Sequence, residues 1–160
     1  MPVHVFNLVI REQGLIVQKG NPKKIRGITD LARGDTLFVN RQPGSGTRIL
    51  FDYNLNEMGI EPSHICGYEN EEYTHMNVAV SVLNGAADVG MGIMAAARAL
   101  DCDFIPIAQE QYDLVIPSSF VDDAKIHALI DITKSKDFRE RVKELGGYNP
   151  EKSGDLWKII

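Results

Sequence analysis

Residues 40–48 of the chain concentrate the residue types that bind small anions. Their sequence, Asn-Arg-Gln-Pro-Gly-Ser-Gly-Thr-Arg, follows an apolar strand segment and leads into a helical pattern. The start of a helix leaves about four backbone N–H groups without internal partners, at the positive end of the helix dipole. The loop adds two glycines that allow close approach, two hydroxyls and two positive charges: Gly44 and Gly46, Ser45 and Thr47, Arg41 and Arg48. The spacing predicts a site for a small oxyanion.

A second helix is predicted to begin at Thr74 and His75, after a polar segment. In α/β sheets, ligands bind beyond the carboxyl ends of the strands, where helix N-termini gather. We therefore expect the two helix starts to point at one site. The dipole favours a neutral His75 ring, which can still donate one hydrogen bond to an oxyanion.

Two other interpretations of these residues stay open at this point. Serine and threonine are common helix caps and Gly-Ser-Gly is a common turn, so the residues could simply begin two helices. A hydrolase would use Ser45 as nucleophile and His75 as base, with Asp52 or Asp88 orienting the ring. No G-x-S-x-G motif surrounds Ser45, and no P-loop or G-x-G-x-x-G motif is present. We therefore predict a binding domain rather than an enzyme.

Composition narrows the class of protein. The chain has 160 residues, 44% of them hydrophobic and 24% charged, which predicts one ordinary globular domain or two small lobes. The net charge of −5 argues against direct nucleic-acid binding. We expect no membrane contact and a cytoplasmic location, because neither a span of about 20 apolar residues nor a signal-peptide pattern is seen. The four histidines are scattered, so no metal site is predicted.

Alternating strand and helix patterns predict an α/β fold with mostly parallel strands. Gly14 is expected to form a bend or a bulge between two strand segments, residues 3–10 and 15–17, rather than to continue one strand. A short strand is predicted over residues 64–68. The helix after the anion loop should end at Gly59.

Six segments resemble one known family in its own order along nearly the whole chain. They are Arg11-Glu12-Gln13-Gly14-Leu15, Gly20-Asn21-Pro22, residues 40–48, Thr74-His75 with Val78-Ala79, Gly85-Ala86-Ala87-Asp88-Val89-Gly90, and Tyr112-Asp113-Leu114-Val115. The sequence resembles the type II periplasmic-binding-protein-like domain (LysR-substrate-binding-like) found with molybdopterin-biosynthesis proteins and some winged-helix regulators. It is similar, more distantly, to periplasmic molybdate- and tungstate-binding proteins.

The resemblance implies a type II periplasmic-binding-protein-like α/β fold, with two lobes joined by crossover strands. Residues 35–112 would form one complete lobe carrying the ligand loop. Residues 1–34 and 113–160 would form a partial second lobe, because the N-terminal part of the family domain is missing. The implied ligand-binding residues are Arg41, Ser45, Gly46, Thr47, Arg48, Thr74, His75, Glu110 and Tyr112. An incomplete sheet leaves unpaired strand edges, so we expect a homo-oligomer.

The implied function is non-catalytic binding of a small oxyanion, molybdate or tungstate, without a covalent cofactor. The domain would serve molybdenum-cofactor metabolism or its regulation. Its partner would be a molybdenum-cofactor biosynthesis protein or a DNA-binding domain on another chain. The alternatives are an accessory module of molybdopterin biosynthesis that binds a pterin or a partner protein, and a truncated oligomerisation module without a ligand.

Overall fold

The computed structural model describes residues 1–160, which divide into two compact units. The central unit comprises residues 13–108, and the terminal unit comprises residues 1–12 and 109–160. The predicted lobe of residues 35–112 overlaps the central unit, which also includes residues 13–34. No helix is both long enough and apolar enough to cross a bilayer.

Seven strands and five α-helices make up the regular structure. The strands are β1 (Val3–Val17), β2 (Phe38–Arg41), β3 (Glu71–Glu72), β4 (Val89–Ile93), β5 (Asp103–Pro117), β6 (Tyr148–Asn149) and β7 (Leu156–Ile159). The helices are α1 (Gly46–Glu57), α2 (His75–Leu83), α3 (Met94–Ala99), α4 (Ala124–Lys134) and α5 (Lys136–Leu145). Strands β1 and β5 each contribute residues to both units.

The sheet of the central unit has the strand order β3-β2-β4-β1-β5. Strand β2 is parallel to both β3 and β4, whereas β1 is antiparallel to β4 over residues 13–17. The α/β fold is confirmed, and the strand pairing is mixed rather than mostly parallel. Because β2 and β4 are parallel neighbours, their carboxyl ends lie at the same edge of the sheet, where α1 and α3 follow them in the chain.

Both faces of this sheet are buried, as expected for strands covered by helices on each side. Phe38 of β2 stacks on Phe51 of α1, with ring centroids 4.5 Å apart. Val39, the next residue, belongs instead to the cluster that contains Val78 and Ala79 of α2. Since successive strand residues point to opposite faces, α1 covers one face and α2 the other.

Strand β1 runs without interruption through Gly14, so the predicted bend there was wrong. A Cβ atom on Gly14 would lie 2.2 Å from the carbonyl oxygen of Ile105 in β5. The glycine therefore allows close approach of the neighbouring strand rather than a bulge. Pro106 is tolerated within β5 because this strand is last in the strand order.

The strand predicted over residues 64–68 is also wrong. A 3-10 turn occupies Pro62–His64, and Gly67 takes a left-handed φ of 86°. The strand pairing falls later, where Glu71–Glu72 lies parallel to the end of β2. A polar segment therefore provides the edge strand beside the anion loop.

The terminal unit has a smaller core. Its buried apolar cluster consists of Phe6, Ile116 and Ile130. Helix α4 is capped by Asp123, whose carboxylate accepts from the Lys125 N–H at 2.8 Å. The β1 residues of this unit pair antiparallel with β6 and β7.

Candidate functional site

Helix α1 begins as the loop pattern predicts. Ser45 is the N-cap, and its hydroxyl oxygen accepts from the Arg48 N–H at 3.2 Å. Gly44 precedes it with a left-handed φ of 82°, a conformation that favours glycine. The amides of Gly46 and Thr47 lie in the first turn, where helix geometry provides no acceptor. These two amides are therefore available to an anion at the N-terminus of this 12-residue helix.

Helix α2 begins in the same way at His75. Thr74 is the N-cap, and its hydroxyl oxygen accepts from the Asn77 N–H at 3.0 Å. The helix has nine residues, no acidic residue in its first turn and a half-buried His75 ring at its start. Its positive end is therefore not neutralised by a carboxylate of its own first turn.

Arg41, the last residue of β2, joins the loop to the start of α2. Its Nη1 lies 3.0 Å from Nδ1 of His75, and its Nη2 donates to the Tyr73 carbonyl oxygen at 3.0 Å. Its Nε donates to the carbonyl oxygen of Glu72 at 3.2 Å. A guanidinium has no acceptor, so His75 Nδ1 accepts in this contact and the ring carries its proton on Nε2. Arg41 is 8% exposed, so its contact with the imidazole is largely shielded from water.

Thr47 and His75 lie against adjacent positions of the sheet. The Thr47 hydroxyl donates to Oε1 of Gln13 at 2.7 Å, and Gln13 pairs with Ile93 of β4. A Cβ atom on Gly92, the preceding residue of β4, would lie 3.5 Å from His75 Nδ1. The N-termini of α1 and α2 therefore converge at the carboxyl edge of β2 and β4. This arrangement is the candidate site.

Arg48 is engaged by the protein itself. Its Nη1 donates to the carbonyl oxygen of Arg41 at 3.1 Å and to Glu71 at 3.2 Å, and its Nε lies 3.4 Å from an Asp52 carboxylate oxygen. The guanidinium also lies 4.2 Å from the centroid of the Tyr68 ring. Burial disfavours its charge, but the contacts with Tyr68, Asp52 and Glu71 outweigh burial and raise the pKa of Arg48. Arg48 thus ties α1 to β2 and β3, and its contact with a ligand stays a prediction.

The carboxylates of the hydrolase alternative have other roles. Asp52 accepts from the Tyr68 hydroxyl at 2.8 Å, and burial together with this bond raises the pKa of Tyr68. Asp88 accepts from the Leu37 N–H at 2.8 Å. These contacts hold strands and helices together, and neither orients the ring of His75.

Glu110 and Tyr112 belong to the terminal unit. Arg11 forms an ion pair with Glu110, and its guanidinium lies 4.6 Å from the centroid of the Tyr112 ring. The three side chains form one cluster on β1 and β5. Their part in ligand binding stays a prediction.

Gln13 is the site residue that sequence reasoning missed. It is completely buried, although it is a polar residue two positions before the apolar run from Leu15 to Val17. A single amide beside such a run was the available signal, because a buried polar group requires a hydrogen-bond partner. Its partner, Thr47, is 34 residues away in the sequence.

The fold is that of the type II periplasmic-binding-protein-like class. The chain belongs to the PBP superfamily domain family, which matches residues 1–134.

Two curated relatives are uncharacterised. The chain is 39% identical over 155 residues to the protein YvgK of Bacillus subtilis, a match that covers 97% of this chain and 50% of YvgK. It is 34% identical over 109 residues to a Clostridium pasteurianum protein from the 5′ region of a 2Fe-2S ferredoxin gene, covering 68% of this chain and 96% of that protein. The chain thus spans about half the length of YvgK.

Solved structures share the fold at low identity. Peb3 from Campylobacter jejuni has a TM-score of 0.61 at 21% identity, covering 91% of this chain and 67% of Peb3. A Clostridium perfringens protein described as a phosphate ABC transporter substrate-binding protein with bound phosphate has a TM-score of 0.63 at 15% identity. The match covers 89% of this chain and 70% of that protein. The substrate-binding domain described for a molybdenum ABC transporter from Clostridium difficile has a TM-score of 0.62 at 16% identity. The match covers 91% of this chain and 66% of that domain.

Proposed function

We propose that this domain binds a small tetrahedral oxyanion, without catalysis, at the converging N-termini of α1 and α2. The observation that carries the proposal is the position of Arg41, which contacts the start of α2 while it leads into the loop before α1. Two positive helix ends and a guanidinium then lie at one edge of the sheet. Amides of the first turns and the Nε2 proton of His75 would donate to the anion.

The carboxylates near this edge are engaged by protein donors. Glu71 and Asp52 are paired with Arg48, and Glu72 accepts from the Ser81 hydroxyl at 3.0 Å. These contacts reduce the negative charge that an incoming anion meets, although the chain carries a net charge of −5. A local positive site on an acidic protein also attracts anions over a range of about 10 Å at moderate salt.

Molybdate or tungstate is the ligand that we propose, and a link to molybdenum-cofactor metabolism or its regulation is the role. The motifs that resemble molybdopterin-associated domains support this choice, as does the fold shared with the molybdenum-transporter domain. The neighbour with bound phosphate supports the wider class of tetrahedral oxyanions.

Calorimetric titration with molybdate, tungstate, sulfate and phosphate tests the proposal. We expect a saturable heat for at least one anion and a matching rise in Tm, because a ligand that binds only the folded state stabilises it. A well-folded sample that gives neither heat nor a Tm shift at millimolar anion would contradict the proposed function.

A further inference from the structure

Helix α2 carries a row of apolar side chains on the side that faces away from the sheet. Val78, Ala79 and Val82 of this helix are buried in the core of the central unit. Three other apolar residues of α2 are between 42% and 52% exposed: Met76, Val80 and Leu83. A helix that is apolar all round is normally covered all round. One side of α2 therefore lacks a cover in the single chain.

The spacing of the exposed residues places them on one face of the helix. Val80 follows Met76 by four residues, and Leu83 follows Val80 by three. Residues three and four apart are neighbours on a helix surface, and this alternation is the pattern by which two helices pack side by side. Tyr73, 69% exposed, lies just before the N-cap and adds an aromatic ring at that end.

The segment that carries this row has no charged residue. Helix α2 is the one helix of the five without Asp, Glu, Lys or Arg, and none occurs between residues 73 and 86. In the whole chain 24% of the residues are charged, and helix α5 has seven charged residues among ten. The exposed polar neighbours of the row, Asn77 and Asn84, are neutral. Another molecule can therefore cover α2 without removing a charge from water.

Charge and spacing together favour a second copy of the chain as that molecule. The chain carries a net charge of −5, so two copies repel one another wherever their acidic surfaces meet. A charged peptide or a nucleic acid finds no opposite charge on α2. Two α2 helices related by a two-fold axis place Met76 of one protomer against the partner's Val80, and the same contact then forms twice. Their dipoles run in opposite directions, which is favourable.

We propose that the exposed face of α2 is an interface between two copies of this chain, packed antiparallel through Met76, Val80 and Leu83. The inference goes beyond the proposed oxyanion function and does not rest on it. A helix of nine residues is about 14 Å long, and stable interfaces bury about 1,200–2,000 Å² in total, more than one pair of such helices provides. We therefore expect a weak dimer, with a dissociation constant of about 10 μM.

Sedimentation equilibrium on either side of that concentration measures the association. Val80→Glu places a charge without a partner at the centre of the contact and should weaken association about 10-fold or more. Leu129→Glu is the matched control, because Leu129 of α4 is 41% exposed and Val80 is 42% exposed. Both variants change the net charge equally, and Leu129→Glu should associate as the wild type does. Circular dichroism confirms that each variant is folded.

Cysteine pairing tests the position and direction of the contact independently. All proteins carry Cys66→Ser, because Cys66 is an exposed free thiol, whereas Cys102 is buried. Met76→Cys protein and Val80→Cys protein are mixed in equal amounts and oxidised. A disulfide requires Cα atoms about 4.4–6.8 Å apart. Antiparallel packing therefore predicts an excess of the mixed disulfide over random pairing, which mass spectrometry of the linked peptides measures.

Each result decides for or against this interface. Weaker association of Val80→Glu alone, together with the mixed disulfide, supports it. Equal association of Val80→Glu, Leu129→Glu and the wild type would overturn it, as would a wild type that stays monomeric at all concentrations. An excess of disulfides between identical variants would also overturn it, because that result requires parallel helices. A wild type that dimerises through α2 but binds no oxyanion would contradict the proposed function and leave this inference in place.

Discussion

The guanidinium of Arg41 and the ring of His75 are joined by a contact of 3.0 Å between Nη1 and Nδ1. The pair links the residue before the anion loop to the first residue of α2, and it orients the Nε2 proton of His75. The contact places the positive charge of Arg41 next to the His75 ring in the candidate site. Substitutions can change either side chain separately.

Arg41→Lys keeps the positive charge but removes the fixed set of donors. We expect oxyanion affinity to fall about 10-fold, because a lysine cannot contact His75, Glu72 and Tyr73 at once. Calorimetric titration measures the loss. Arg26→Lys, at an exposed arginine, is the matched control and should bind as the wild type does. Equal affinities for the two variants would contradict the role of Arg41.

Gly46→Ala tests the space in front of α1. Gly46 has no atom within 4 Å of an added Cβ and no left-handed φ, so the variant should fold and gain up to about 1 kcal/mol in unfolding free energy. The added methyl group would occupy space next to the proposed anion, so affinity should fall. Gly27→Ala also adds a Cβ in open space and should not change affinity. Unchanged binding by Gly46→Ala would place the anion elsewhere.

Arg48→Met should lower the free energy of unfolding by about 2–4 kcal/mol, because Glu71 loses its charged partner and the Arg41 carbonyl oxygen loses a donor. Urea unfolding measures this change. Glu71→Gln keeps the shape of the partner side chain and should lower the free energy of unfolding by less than Arg48→Met does. A loss within experimental error for Arg48→Met would show that these contacts do not stabilise the fold.

The raised pKa of Tyr68 predicts that the free energy of unfolding changes at high pH. Its folded-state pKa is raised above the unfolded value, near 10, so folded protein holds the phenol proton more tightly. This contribution is fully present below the unfolded pKa and is lost as pH rises through the folded pKa. Tyr68→Phe should therefore lose less stability than the wild type between about pH 8 and about pH 10.5. Equal losses of unfolding free energy in Tyr68→Phe and in the wild type would contradict the raised pKa of Tyr68.

Self-association also stays a prediction. In the terminal unit, Val115, Trp157, Ile159 and Ile160 are each more than half exposed, while the buried cluster contains three residues. Exposed apolar surface of this kind favours contact with another chain. We expect a homo-oligomer in light scattering at micromolar concentration. A monomer over that range would contradict the prediction.

The sequence predicted the elements that local patterns determine. Ser45 and Thr74 cap the predicted helices, and Gly59 follows the end of α1, because capping depends on neighbouring residues. Long-range contacts were not predictable. Gly14 supports a close approach of β5 rather than a bend, and nothing near Gly14 in the sequence indicates that contact.

The candidate site was predictable only where it depends on neighbouring residues in the sequence. The hydroxyls, glycines and arginines of the loop were visible as a pattern, and Arg41 links the end of β2 to the start of α2. That the two helix starts share one ligand site stays a prediction. The engagement of Arg48 with Glu71 and of Thr47 with Gln13 depends on strand pairing between distant segments. Those partners decide which groups could meet a ligand.

Crystals of the wild type soaked in tungstate test the central claim most directly, since tungsten gives a strong anomalous signal. We predict a peak at the edge of β2 and β4, with tungstate oxygens about 2.7–3.2 Å from the Gly46 amide and from His75 Nε2. A peak only at other positions, or none at a tungstate concentration that saturates the calorimetric signal, would contradict the account.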